Sequence, residues 1–281
     1  MRVLLTLCWF FVISAVCIAQ TTFYFPQVAN GVQGGGLSWK TTIFITNPAA
    51  AGSNTASGTI TFTTSSGTAF NLSFVDSDGA AVGSGNTIPF QIAGGQTRQF
   101  VSSGGGDLAS GFATVSSNQP VSGTAVFSLF SGSTLIGEAG VPASSPTARQ
   151  TIFVDEKAGF QTAVAYANPN AAGASLTLQL LNTQGTAVVQ STTRTLGISN
   201  HTAAYVNQLF ANTAGITGTM QITSDRPLAA IALRFSPQNL FTTLPPVTLA
   251  SLINPALQWL GKALPAPLGM VARLLGNLRI G

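Results

Sequence analysis

Apolar and polar positions alternate along most of this chain. Trp39-Lys40-Thr41-Thr42-Ile43-Phe44-Ile45-Thr46 alternates and stops at Asn47-Pro48; Gln161-Thr162-Ala163-Val164-Ala165-Tyr166-Ala167 alternates and stops at Asn168-Pro169. A period of two sends successive side chains to opposite faces, as in a strand with one buried face. Proline after asparagine takes the chain out of a β-ladder and into a turn. Short runs of this kind, spaced by roughly 8–12 residues, predict an all-β chain of packed sheets.

The two Asn-Pro stops belong to an internal repeat. Phe74-Val75-Asp76-Ser77-Asp78-Gly79 corresponds to Leu180-Leu181-Asn182-Thr183-Gln184-Gly185, and the run Gln96 to Val101 to the run His201 to Val206. Gly111 to Val121, ending Ser-Asn-Gln-Pro-Val, lines up with Gly218 to Leu228, ending Ser-Asp-Arg-Pro-Leu. Between the Asn-Pro stop and the Gly turn the first copy is longer by about 15 residues, and Thr59 to Leu72 reads as one extra hairpin there. The reading is two tandem Ig-like β-sandwich domains, 22–142 and 148–245. Pro142-Ala143-Ser144-Ser145-Pro146, small residues between prolines, marks the boundary.

Both ends differ from this texture. Arg2, an apolar run from Val3 to Val16 and the close Cys17-Ile18-Ala19-Gln20 predict a secretory signal peptide over 1–19, cut after Ala19. The run is shorter than the roughly 20 apolar residues of a spanning helix. Val16 before Cys17 fits a lipidation junction poorly. From Leu249 to the end, Leu252, Ile253, Ala256, Leu257 and Leu260 recur at helical spacing, break at Pro265-Ala266-Pro267 and resume through Leu278. This predicts a short amphipathic helical tail, 249–281, with Lys262, Arg273 and Arg279 as its charges. Such a tail suits a membrane surface, a hydrophobic partner or the chain's own second domain.

Composition narrows the function classes. The chain has 281 residues, 45% of them hydrophobic and only 6% charged, against a typical charged content of about 25%. High hydropathy with little charge argues against disorder. Removing Arg2 with the leader leaves ten basic and seven acidic side chains, too dilute and scattered for nucleic acid, which needs clustered cations. Cys8 and Cys17 both fall in the leader, so the secreted chain has neither a disulfide framework nor a thiolate.

The stretch Tyr24-Phe25-Pro26-Gln27-Val28-Ala29, then Thr41-Thr42, Asn47-Pro48, a Gly-turn hairpin and Gln-Pro-Val-Ser-Gly at 119–123, resembles modules of uncharacterised secreted proteins from soil-type bacteria. The second copy lacks the Phe-Pro opening and the Gly after its Arg-Pro. The resemblance implies export and tandem Ig-like modules, and carries no activity.

Candidate chemistry is sparse. The sole histidine, His201, aligns with a turn and reads as a turn-edge residue; one imidazole cannot build a histidine metal site. Asp76-Ser77-Asp78-Gly79 lacks the later ligands of a calcium loop and fits a hairpin turn. Asp155-Glu156-Lys157, the densest charge cluster, reads as a solvated strand end. Gly34-Gly35-Gly36 and Gly104-Gly105-Gly106 lack the helix and lysine of a phosphate loop and read as flexible loops. Trp39 and Tyr24, with Phe44 nearby, are candidates for a sugar-stacking platform.

The expectation is therefore a secreted or cell-envelope protein with a structural or adhesive role, no catalysis, no cofactor and no metal. The alternative is a carbohydrate-binding module pair. Partners would be extracellular protein or polysaccharide rather than nucleic acid, with self-association through poorly guarded strand edges.

Overall fold

In the computed structural model, described over residues 20–249 with residue 239 left out, nearly every segment is a strand. The leader over 1–19 lies outside the described residues. So does the expected helical tail, apart from Leu249, whose amide extends a sheet edge by donating to the Arg149 carbonyl.

Nine strands form one sheet system: β1 (Gln20–Gln33), β2 (Leu37–Thr46), β3 (Ala56–Thr64), β4 (Leu72–Val75), β5 (Ala81–Gly85), β6 (Thr87–Ile92), β7 (Thr97–Ser102), β8 (Ala109–Ser131) and β9 (Thr134–Pro142). Eight form the second: β10 (Thr147–Asp155), β11 (Gln161–Ala167), β12 (Ala174–Asn182), β13 (Val188–Leu196), β14 (His201–Tyr205), β15 (Thr217–Phe235), β16 (Phe241–Leu244) and β17 (Val247–Thr248). One helical turn, α1 (Val206–Leu209), follows β14.

Each system closes through one long strand that changes partners midway. The first part of β8 pairs with β1 and β3, and Ser122 to Ser131 pairs with β2, with β9 on its other side. The first part of β15 pairs with β10 and β12, and Ala229 to Phe235 pairs with β11 and β16. Pro120 and Pro227 stand just before the exchange; proline donates no amide hydrogen, so it suits the point where one ladder ends and another begins. The result is an all-β, sandwich-like body. Its first core is rich in phenylalanine, with Phe23, Phe25, Phe62, Phe74, Phe100 and Phe127 buried. The second is aliphatic, with Leu176, Leu178, Leu180, Met220 and Ile222 buried. Burying each such side chain contributes roughly 1.5–3 kcal/mol.

Side-chain hydrogen bonds recur at matching places. The buried Asn47 amide donates to the Asn54 and Ile92 carbonyls, both at 2.9 Å, and its oxygen accepts the Ala49 amide at 3.1 Å. Asn168 donates to Ala172, Leu196 and Gly197 and accepts from the Asn170 amide. Thr41 Oγ1 donates to the Ala29 carbonyl and accepts its amide; Thr162 Oγ1 does both with Asp155. Asn118 accepts the Ser57 amide at 2.8 Å, and Asp225 accepts the Ser175 amide at 2.9 Å. Buried polar groups are mostly paired, and the Asn47 and Asn168 bonds tie each Asn-Pro bend to neighbouring backbone.

Strand pairing differs from the expected extra hairpin. Thr59 to Thr64 lies in β3, which pairs with β8 as β12 pairs with β15. Among the described residues, the hairpin that the second sheet system does not share is β4–β5. Gly-closed turns look alike in sequence, whereas strand partners do not show there. Thr97 pairs with Thr46 and His201 with Ala167, each the residue before an Asn-Pro bend, so in strand register His201 matches Thr97 rather than Gln96.

The two systems meet over an apolar junction. Ala165, Ile231, Leu233 and Phe241 of the second belong to the core cluster of the first. Phe241 lies over Gly137, where a Cβ would come within 2.7 Å of its ring. Ser144 exchanges backbone bonds of 3.1 and 2.8 Å with Tyr24, so the connector is fastened to β1.

Candidate functional site

The junction does not close completely. Between the sheet systems lies a cleft of about 400 Å³. β2 and β8 supply Trp39 and Phe127; β14 and β15 supply Ala203, Tyr205, Leu233 and Phe235. It exists because alanines at 163, 165, 203 and 204 leave room that larger residues would fill. Aromatic rings run along one side: Trp39 to Phe241 at 5.5 Å between centroids, Phe241 to Phe235 at 5.4 Å, and Phe235 to Tyr205 at 5.4 Å. Burial raises the Tyr205 hydroxyl above the ordinary tyrosine range.

The residues lining this cleft carry three glutamine amides, the Trp39 indole N–H and the hydroxyls of Ser110 and Tyr205. Gln33 Oε1 accepts the Trp39 indole N–H at 3.0 Å, and Gln208 Oε1 accepts the Tyr205 backbone amide at 2.9 Å. Gln27 also lines the cleft, and its Oε1 is buried without a hydrogen-bond partner. Ser110 and the Tyr205 hydroxyl complete the polar lining; among the described residues no charged side chain contributes.

Of the two expected ligand-contacting residues, Trp39 lines this cleft and Tyr24 does not. Tyr24 is half-buried on β1 between the inward-facing Phe23 and Phe25, and pairs with Thr114 and Ser144. Strand alternation separates the two, so the structure does not assemble them into one platform. Tyr205 and Phe235 were missed because nothing in their local sequence reports which sheet they face.

His201 is buried, not placed at an exposed turn edge: 3% of it is accessible. Its Nδ1 lies 3.0 Å from Ser65 Oγ, its backbone amide donates to the Ser65 carbonyl at 3.1 Å, and its Nε2 is buried without a hydrogen-bond partner. Burial depresses its pKa to about 4, with the Pro26 carbonyl opposing. The reason for the difference is tertiary: the β3–β4 turn packs over the β13–β14 turn, with Gly67 against the Ile198 carbonyl and Asn200.

Asp155 and Glu156 are not a solvated strand end either; each is 8% accessible. Arg234, distant in sequence, bonds Asp155 Oδ2 through Nε at 2.9 Å and Nη2 at 2.7 Å, and its guanidinium lies 3.5 Å from the centroid of the Phe160 ring. Glu156 accepts the Thr162 amide at 2.8 Å. Burial raises its carboxyl above the usual range, the Thr162 bond opposes, and Asp155 adds to the rise.

The remaining motifs are local. Asp76 Oδ1 accepts the Asp78 and Ala80 amides, the expected turn. Gly34–Gly36 forms a single 3-10 turn. The loop at 104–106 is held by Asn30, which accepts the Gly104 amide and donates to the Gly105 carbonyl. Among the described residues no group of three or more His, Cys, Asp or Glu side chains converges as metal ligands would. No family model matches the chain, and neither a curated protein nor a solved structure matches it with significance.

Proposed function

We propose that this chain is a secreted or cell-envelope protein with a structural or adhesive role, built from two Ig-like sandwich modules that diverged from one unit. The modules act as a single stiff body that spaces and presents loops outside the cell, without catalysis. The observation that carries this reading is the junction, where Ala165, Ile231, Leu233 and Phe241 enter the core of the preceding sheet system. An apolar junction of this kind resists the hinge motion expected between loosely joined domains. The recurrence of the Asn47 and Asn168 bonds supports common descent of the two modules. Acyl- or glycosyl-transfer chemistry needs a nucleophile, base and orienter within reach. In this chain the histidine meets a serine, while the acids at 155 and 156 are engaged with Arg234 and Thr162.

The test is fractionation of bacterial cells expressing the full chain, followed by crosslinking in the envelope fraction. The expected result is export, with one extracellular protein or polysaccharide retrieved reproducibly. Retention in the cytoplasm, or free protein in the medium with no crosslinked partner, contradicts the reading.

A further inference from the structure

We propose that the cleft between the two sheet systems is a binding site for a neutral, largely apolar small molecule carrying a hydrogen-bond acceptor. The inference rests on the stiff-pair reading, because the two walls of the cleft come from different sheet systems.

Size is the first constraint. A volume of about 400 Å³ falls within the roughly 300–1,000 Å³ of small-molecule sites. It is too small for a helix or a folded partner. Chemistry of the wall is the second. Phe127, Leu233, Phe235 and Trp39 offer carbon and ring faces, and no charged residue among the described ones lines the cleft to supply the counter-charge that an anion or cation would need once desolvated. A neutral guest is the complement of such a wall.

Polar placement is the third. Gln33 and Gln208 have their amide oxygens occupied, by the Trp39 indole and the Tyr205 backbone respectively. Their N–H groups, with the Ser110 and Tyr205 hydroxyls, offer donors to an acceptor on the guest, while the unpartnered Gln27 Oε1 offers an acceptor to any donor it carries. A polyhydroxylated sugar fits less well: it needs many directional partners, and the wall supplies three amides, the Ser110 and Tyr205 hydroxyls and an indole N–H already bonded to Gln33, among mostly apolar side chains. The cleft thus favours a ketone, ester or aryl ether of about 12–20 heavy atoms over a saccharide.

The probe for a test is 6-propionyl-2-dimethylaminonaphthalene, a neutral naphthyl ketone whose emission shifts to the blue in apolar surroundings. Titrated into the full secreted chain, it is expected to give one saturable blue-shifted site. Ala203→Trp fills the cleft from an exposed position on β14 and should weaken the probe about ten-fold or more. Gln208→Leu removes a donor and should weaken it about three-fold or more. A naphthalene sulfonate of similar size should bind about ten-fold more weakly than the ketone. Saturable binding unaffected by Ala203→Trp, preference for the sulfonate, or displacement by millimolar cellobiose overturns the proposal. Small-angle scattering on the same sample separates the two ways of failing. A compact particle that does not bind sinks the cleft alone, whereas a particle with two independently moving halves sinks the stiff pair beneath it.

Discussion

His201 Nδ1 lies 3.0 Å from Ser65 Oγ, a contact between residues of the two sheet systems and 136 positions apart in the chain. Burial holds the imidazole neutral, with its pKa lowered from 6.5 to about 4. A depressed pKa means that the unfolded chain takes up a proton before the folded one does. The stability it represents is complete above pH 6.5 and is lost as pH falls towards 4. The loss amounts to about 3 kcal/mol at most. Denaturant midpoints at pH 7 and pH 4.5 should differ accordingly, and His201→Gln should flatten the difference. A variant that keeps the full pH slope would assign that slope to the carboxylates.

Asn47 and Asn168 each satisfy several buried carbonyls at an Asn-Pro bend. Asn47→Ala and Asn168→Ala should each cost about 2–4 kcal/mol, because the carbonyls left behind are desolvated and unpaired. Urea titrations of both variants check this. A cost within error of zero for either would mean that its bend is held by backbone bonds alone.

Gly111 and Gly218 face a neighbouring strand so closely that a Cβ at either would meet the Thr63 or Leu181 carbonyl. Gly140 has open space around its Cβ position. Gly111→Ala and Gly218→Ala should lower stability by roughly 1–3 kcal/mol, and Gly140→Ala by less than about 0.5 kcal/mol. Thermal midpoints of the three proteins give the comparison directly.

Asp155 and Arg234 form a two-bond ion pair whose side chains are 12% and 30% accessible. Removing one partner strands the other in a half-buried place. Arg234→Ala should cost about 1–3 kcal/mol, less than a fully buried pair because water still reaches the guanidinium. Part of that cost is the lost contact with Phe160, so Arg234→Lys should recover only a fraction. Full recovery by lysine would show that charge alone matters there.

Part of the strand pattern was legible in the sequence, because alternation at 39–46 matches one buried face; at 161–167 both faces are buried from Val164 on, Val164 and Tyr166 in the second core and Ala165 in the first. Turns closed by Asp76 and Asn182 were legible for the same reason: the bonds that form them are local. What was hidden depends on pairing over long separations. The bent course of β8 takes β3 as its neighbour and leaves β4–β5 as a hairpin beside β7, and no local residue encodes that choice. The burial of His201 and of Asp155 comes from Ser65 and Arg234, which arrive from far along the chain. Of the cleft, Trp39 was singled out by residue type alone. Tyr205 and Phe235 needed the second sheet system to be set against the first.

Hydrogen exchange on a junction variant tests the central claim most directly. Leu233→Asp places a charge in the apolar seam from the side of the second sheet system. If the two systems share one core, amides of Ala125, Phe127 and Leu129 in β8, and of Ala139 in β9, lose protection along with those of β11 and β15. Unchanged protection in β8 and β9, with loss confined to residues after Thr147, would contradict it.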